Sequence, residues 1–458
     1  MGKISKLHKR PTVPLGTDCG ISLNPFTEPH VILASLNLYL VPNFTTMSKS
    51  ILPVLLLLGL ALSLRAQDAT EERPYLILIS CDGYRWDYTQ RYQPPNITRF
   101  IEEGVQAYSM IPSFPSKTFP NHYAIATGLT PEHNGLVNNS FYDPAKDEEY
   151  RIFKREVVED GSWYKGTPLW VLAEQQGLKA ASYFFVGSEA DIQGVRPSYY
   201  YRYDGSVPNT ERVQQVLDWL QLPADERPHM ITLYFSDMDD VGHRQGPSNE
   251  KAIKKALFKL DKALGQLFDG VKASKLPVNI IMVSDHGMVD VSPDRLLNID
   301  RFEQDDQYRI VNNGALAHVY LEPGTDSLAT LQHLQTQAKG RPITVYPIAD
   351  FPHYRDKDNP RLGQFILYPD YRYYLSDSRR IAKVQSGSFS QGGEHGFNPE
   401  FPEMHAIFYA NGPAFRSGLT IPSFRNVHVY PLACRILGLP VPAGIDGRGA
   451  VLEGVLRE

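Results

Sequence analysis

The chain has 458 residues, 42% hydrophobic and 21% charged, and its 46 Lys plus Arg against 51 Asp plus Glu give a formal net charge of −5. This is a globular balance, long enough for one large α/β domain with an insertion or for two domains. The mild acidity, without a Lys/Arg-rich block beyond the first ten residues, argues against a nucleic-acid scaffold, while a small anionic substrate stays compatible through local metal charge.

Residues 1–46 read as an upstream mis-start or a disordered extension. From Met47, a short start carrying Lys49, the apolar run ILPVLLLLGLALSL (51–64) and Ala66 before a polar stretch predict a secretory signal peptide over 47–66. The run falls short of the roughly 20 apolar residues of a spanning helix, so no stable membrane span is expected after cleavage. A genuine extension anchored by that run is the alternative. The expected location is secreted, periplasmic or otherwise extracytoplasmic, with the mature chain starting near Gln67. The three cysteines, Cys19, Cys81 and Cys434, are far apart and suggest neither a disulfide framework nor a thiolate metal site.

Four apolar runs read as buried strands: YLILIS (75–80), MITLYFS (230–236), VNIIMVS (278–284) and HAIFYAN (405–411). Amphipathic helices separate them, the clearest over 250–271, where Ile253, Ala256, Leu257, Leu260, Leu264, Leu267, Phe268 and Val271 keep helical spacing. Strands alternating with helices predict a doubly wound, mostly parallel sheet covered on both faces, with ligands bound beyond the carboxyl ends of the strands. Residues 297–388 hold two alternating runs and one helical run, and are expected to form an inserted α+β lobe within a domain spanning 74–449.

Acidic residues and histidines accumulate after those strands. Asp82 follows the first; Asp239 and His243, four apart, follow the second; Asp285 and His286 follow the third; His395 lies in the Gly-rich QGGEHGFNP. Each piece alone is ordinary. Asp-Gly is turn punctuation, a lone loop histidine is most often a surface or satisfied core residue, and an Asp-x-x-x-His pair can be a helix-face ion pair. Together they place three carboxylates where they would repel unless cations compensated them. Three Asp and three His suit zinc, and two ions with about three protein ligands each leave positions open for a substrate at phosphorus. Between Pro115 and Pro120, Thr118 opens a helix that Gly128 ends, which makes its hydroxyl the candidate nucleophile beside a helix N-terminus. On its own it would read as a plain N-cap.

The stretches SCDGYRWD, FPSKTFPNHYAIATGLTPEHNGLVNNSFYD, DMDDVGHRQGP, SDHGM and GGEHGFNP resemble the nucleotide pyrophosphatase/phosphodiesterase family of the alkaline phosphatase superfamily. The resemblance runs from about 74 to 449 and implies an alkaline-phosphatase-like core and two Zn2+ per chain. It implies one zinc held by Asp82, Asp285, His286 and the nucleophile Thr118, and the other by Asp239, His243 and His395. It assigns Asn139 to a phosphate oxygen, and Phe119 and Tyr203 to the two sides of a nucleotide base. One departure is that Phe185 and Val186 stand where the family has Trp-Pro, which puts base preference in doubt. The expected function is an exported zinc phosphodiesterase or nucleotide pyrophosphatase acting through phospho-threonine. Asn139 and backbone N–H groups at the start of the Thr118 helix are expected to bind the developing charge. A choline or lipid-headgroup phosphodiesterase is the enzymatic alternative. A non-catalytic binding protein would be marked by loss of a ligand or of the nucleophile, and all seven residues are present.

Overall fold

The computed structural model describes residues 73–457 apart from 305 and 391; the extension 1–46, the signal segment 47–66 and Cys19 lie outside the described residues. The strands used below are β1 (Tyr75–Cys81), β2 (Val105–Ala107), β3 (Ala180–Tyr183), β4 (Tyr199–Tyr201), β5 (Met230–Phe235) and β6 (Val278–Val283), followed by β7 (Tyr308–Asn312), β8 (Ala317–Leu321), β9 (Ile343–Pro347), β10 (Phe365–Pro369), β11 (Phe408–Asn411) and β12 (Leu419–Ile421). The helices are α1 (Pro95–Glu102), α2 (Thr118–Thr127), α3 (Leu169–Gln175), α4 (Asn209–Leu220), α5 (Asp237–Gln245), α6 (Glu250–Ser274), α7 (Ser327–Ala338), α8 (Ser378–Gln385) and α9 (Val429–Leu437).

β1 is buried along its whole length because it lies between two parallel partners, with Ile77 opposite Ile231 of β5 and Ile280 of β6. A strand covered on both faces reads as a continuous apolar run, which is why it was visible in the sequence. Its side chains still alternate: Leu76 and Leu78 enter one core with residues of α2, α3 and α9, while Tyr75, Ile77 and Ile79 enter a second with α1, α4 and α6. The eight-stranded sheet runs β12-β2-β11-β6-β1-β5-β3-β4. The expected HAIFYAN strand differs from the other three. Only Phe408–Asn411 is extended, and β11 pairs antiparallel with both β6 and β2. The helix expected over 250–271 continues to Ser274, with Asn249 accepting the Ala252 N–H as its cap.

Residues 308–369 add a separate antiparallel sheet in the order β7-β8-β10-β9, with Leu334 and Ala338 of α7 packed in its own apolar cluster. Cys81 and Cys434 are free thiols in the two cores on opposite faces of the main sheet. Of the two Asn-x-Ser/Thr sequons among the described residues, Asn138 is fully buried and donates to His318 Nε2 at 3.2 Å, so it cannot carry a glycan in the folded chain. The Asn96 amide is engaged by Asp261 Oδ2 at 2.8 Å.

His318 on β8 ties the Asn138 segment to this lobe. Its Nδ1–H donates to the Leu362 carbonyl at 3.0 Å and its Nε2 accepts from Asn138, so the neutral ring is satisfied at both nitrogens. Burial lowers its pKa to about 4. The folded value therefore lies below the unfolded value near 6.5, and the unfolded chain binds the extra proton between them. Stability is fully present above about pH 6.5 and is lost as the pH falls through about 4, with roughly 2 kcal/mol gone by pH 5 at 1.36 kcal/mol per pH unit. Urea melts at pH 7 and pH 5 should show a smaller drop for His318→Gln than for the wild type. Equal drops would remove His318 as the cause.

Candidate active site

Parallel neighbours β5, β1 and β6 end at the same edge of the sheet, and their carboxyl ends carry five of the six ligand-type residues. Asp82 leaves β1 into Gly83, whose φ of 68° only glycine adopts readily; a Cβ there would also lie 2.7 Å from the Asp239 Cα. The Asp239 N–H donates to the Asp82 carbonyl at 3.0 Å, and the Gly83 N–H donates to Asp285 Oδ1 at 3.1 Å. The Asp-Gly pair is thus a turn and also the device that brings three strand ends together.

Within the cluster, His286 Nε2 lies 3.0 Å from Asp285 Oδ2, 3.6 Å from Asp82 Oδ1 and 3.3 Å from Thr118 Oγ1. Asp239 Oδ1 lies 3.2 Å from His243 Nε2 and 3.9 Å from His395 Nε2. The His286 and His395 rings stack at 3.6 Å, so the two groups adjoin. Ring orientation follows a single rule. Nδ1 of His286, His243 and His395 meets the backbone carbonyl of Gly287, Gly393 and Ser116 at 2.8, 2.9 and 2.8 Å respectively. A carbonyl only accepts, so Nδ1 holds a proton, and in the neutral ring Nε2 is left to offer its lone pair inward.

The carboxylates complement those rings. Asp82 Oδ1, Asp239 Oδ1 and Asp285 Oδ2 are buried oxygens without a hydrogen-bond partner among the described residues, a costly arrangement that a cation relieves. Burial, then Asp285 and Asp239, pushes the Asp82 pKa well above the usual carboxylate range. Burial acts on Asp285 in the same direction, but His286 and His122 hold it well below that range. Burial opposes protonation of His243, yet Asp239 beside it raises its pKa to about 9. His395 is kept neutral by burial and then by His286, Lys117 and His243. Three inward imidazole nitrogens facing three unpartnered carboxylate oxygens fit divalent zinc.

Thr118 is the first residue of α2, as expected, with Lys117 in the cap position, so its hydroxyl is turned to His286 and not to capping. Asn139 is close by: its Oδ1 accepts the Phe119 N–H at 3.0 Å, which leaves Nδ2 as its donor toward a ligand. The Phe119 N–H, one of the backbone donors at the helix start, is thus engaged by Asn139. Phe119 and Tyr203 line the same cavity of about 940 Å³, together with Asp82, Thr118, Asp239, His243 and His395. Tyr203 is 46% exposed, and Phe184 meets its ring edge-on at 5.3 Å. Phe185 and Val186, the departing pair, are buried in that wall, with Phe185 edge-on to the His122 ring.

Four residues of the site escaped the sequence reading. His122 is fully buried; its Nδ1 donates to the Thr118 carbonyl at 2.9 Å and lies 3.3 Å from Asp285 Oδ2, while its Nε2 accepts from Ser80 Oγ at 2.8 Å. Its nitrogens already hold Thr118 and Ser80, which suits a positioning residue, although with Asp82 and Asp285 it also forms a buried group able to hold a metal ion. Its four-residue spacing from Thr118 was the available signal. Tyr234 donates to Asp82 Oδ2 at 2.6 Å. Burial lowers the pKa of Lys117 to about 8, and this side chain approaches Tyr374. Glu394 is buried between His243 and Arg380.

This fold and this cluster define a doubly wound α/β protein of alkaline-phosphatase-like architecture, with a site at the carboxyl edge of its sheet. Residues 76–398 match the type I phosphodiesterase / nucleotide pyrophosphatase family, and the chain belongs to it. It is 35% identical over 400 residues to ectonucleotide pyrophosphatase/phosphodiesterase family member 1 of Mus musculus, covering 84% of this chain and 43% of that protein. Against venom phosphodiesterase CdcPDE of Crotalus durissus collilineatus it is 36% identical over 401 residues, covering 84% and 47%. The chain therefore spans less than half the length of these curated relatives. Among solved structures, murine ectonucleotide pyrophosphatase / phosphodiesterase 5 matches with a TM-score of 0.76 and 27% identity, covering 84% of this chain and 100% of that one. A second structure of that protein is an inactive threonine-to-alanine variant in complex with AMP.

Proposed function

We propose that the chain is an exported two-zinc phosphodiesterase or nucleotide pyrophosphatase that works through a phospho-threonine intermediate. The observation that carries the reading is the inward set of three carbonyl-locked imidazoles facing three unpartnered carboxylate oxygens, with Thr118 Oγ1 at its border. One zinc would be held by Asp82, Asp285, His286 and Thr118, the other by Asp239, His243 and His395. Zinc bound there would supply the Lewis acidity that lets a hydroxyl ionise near neutral pH and the charge that offsets an anionic phosphorus centre.

Thr118 Oγ1 attacks phosphorus, an oxygen–phosphorus bond forms, and the bond to the leaving oxygen breaks with its electron pair going to that oxygen. Water then attacks that phosphorus, the bond to Thr118 Oγ1 breaks with its electron pair going to Oγ1, and a proton from the water restores the hydroxyl. Asn139 Nδ2 donates to a phosphate oxygen as charge develops. His122 fixes the Thr118 carbonyl and so the direction of the first turn of α2. A relative described as inactive carries alanine in place of threonine and holds AMP, which supports both the nucleophile and a nucleotide ligand. Export rests on the 47–66 segment, which N-terminal sequencing of material exported from a Met47 start would test. Among the described residues, no helix is long and apolar enough to cross a membrane.

Nucleotide specificity is tested at the rings. If Phe119 and Tyr203 flank a base, each contributes about 1–3 kcal/mol of stacking, or roughly 5- to 150-fold in affinity. Phe119→Ala and Tyr203→Ala should weaken nucleotide diesters by such factors and bis-nitrophenyl phosphate less. Equal losses on both would defeat the base assignment and favour a choline or lipid-headgroup diester.

A further inference from the structure

The cavity has a second wall, supplied by α8 and the segment after it. Asp377 caps this helix, accepting the Arg380 N–H at 2.6 Å. Arg380 is anchored: it pairs with the buried Glu394 at 2.5 Å, and its guanidinium lies over the rings of Tyr374 and Phe389 at 5.5 and 5.4 Å. The two carboxylates of the wall are therefore committed, Asp377 to the helix start and Glu394 to Arg380.

Arg379 and Lys383 are different. They are four residues apart, so they project from one face of α8, and both line the cavity. Both are exposed, and neither side chain has a hydrogen-bond or ion-pair partner among the described residues. Like charges at this spacing disfavour the helix, and an anion lying between them reverses the sign. The same cavity is lined by Asn139, Phe119 and Tyr203, where the proposed reading seats the retained nucleotide. In an in-line displacement the group that departs lies away from the nucleophile, and Arg379 and Lys383 bring to the cavity two cations that neither Thr118 nor the nucleotide half uses.

We infer that Arg379 and Lys383 form a leaving-group subsite that selects substrates whose departing half carries phosphate, such as the pyrophosphate of a nucleoside triphosphate. This rests on the function proposed above. As the Thr118 oxygen–phosphorus bond forms and the bond to the departing oxygen breaks, the electron pair leaves with a polyanion that these two cations hold. A cationic headgroup such as choline meets repulsion at the same wall. Because distal phosphates are bound alike before and during the reaction, the effect falls on KM more than on kcat.

The test uses the zinc-loaded enzyme with two substrates of the same class, ATP and the p-nitrophenyl ester of thymidine 5′-monophosphate, whose leaving group has no phosphate. In the Arg379→Ala/Lys383→Ala double variant, kcat/KM for ATP should fall at least about ten-fold, mainly through KM, since hydrogen bonds to charged groups are the stronger kind. The ester should change by less than about two-fold, because it makes neither contact. The charge-preserving Arg379→Lys/Lys383→Arg variant should keep the ATP preference, and added salt should narrow it in the wild type. Unchanged ATP kinetics, or equal losses on both substrates, would overturn the subsite while leaving the phosphodiesterase intact. A wild type that hydrolysed neither substrate would overturn the proposed function and the subsite with it.

Discussion

Thr118→Ala should bring turnover of a nucleotide diester down by on the order of 10⁴ or more, while metal content, folding and AMP binding stay close to wild type. The hydroxyl is a single group at the border of the cluster, its contact being His286 Nε2 at 3.3 Å, and the helix start it occupies does not depend on it for capping. Removing it leaves the six Asp and His donors and the cavity in place. Quenching the wild-type reaction in acid and weighing the peptide that contains Thr118 should reveal a phosphate adduct that the variant lacks. A variant that kept more than about one per cent of the rate would assign the attack on phosphorus to water and remove the covalent step.

The second large effect belongs to Asp239. Its Oδ1 is the acid partner of both His243 Nε2 and His395 Nε2, at 3.2 and 3.9 Å, and its side chain is only partly buried, so its removal leaves no core cavity. Asp239→Ala leaves two imidazoles without the carboxylate that favours a cation between them. Metal analysis should find about one zinc per chain in place of two, with activity lower by about 10³, equivalent to several kcal/mol of lost transition-state charge stabilisation. Exhaustive chelation should silence the wild type as well. Full activity after chelation, or a variant that kept both its metal and its rate, would dismantle the two-ion reading.

Much of the architecture was legible because the three central strands are buried on both faces, and uninterrupted runs such as YLILISC then have only one reading. β3 and β4 were not. AASY and YYY are short and carry hydroxyls, and Ser182 is tolerated in the core only because Thr232 on the adjacent β5 donates to it at 2.7 Å. A pairing 50 residues apart leaves no local trace. β11 was read at the right place with its direction left open, since apolar content does not encode strand polarity. At the site, the residues proposed to meet a ligand are marked in the sequence by type and by spacing after strands. Residues that hold those residues are not, because Ser80, Tyr234 and Lys117 are ordinary until the fold sets them beside His122, Asp82 and Tyr374.

The chain of contacts from Ser80 through His122 to the Thr118 carbonyl reaches from a central strand of the sheet to the backbone of the proposed nucleophile. It makes the stiffness of the protein's interior part of the tolerance of its chemistry. A loop-borne nucleophile can drift without disturbing a core, and a core can be repacked without disturbing a loop. Here neither is free of the other, since any displacement of β1 is handed on through one imidazole. Descendants of this sequence can therefore fall silent through a change at Ser80 or His122 while every metal-binding side chain is still present. Counting ligands would then misjudge which relatives still work.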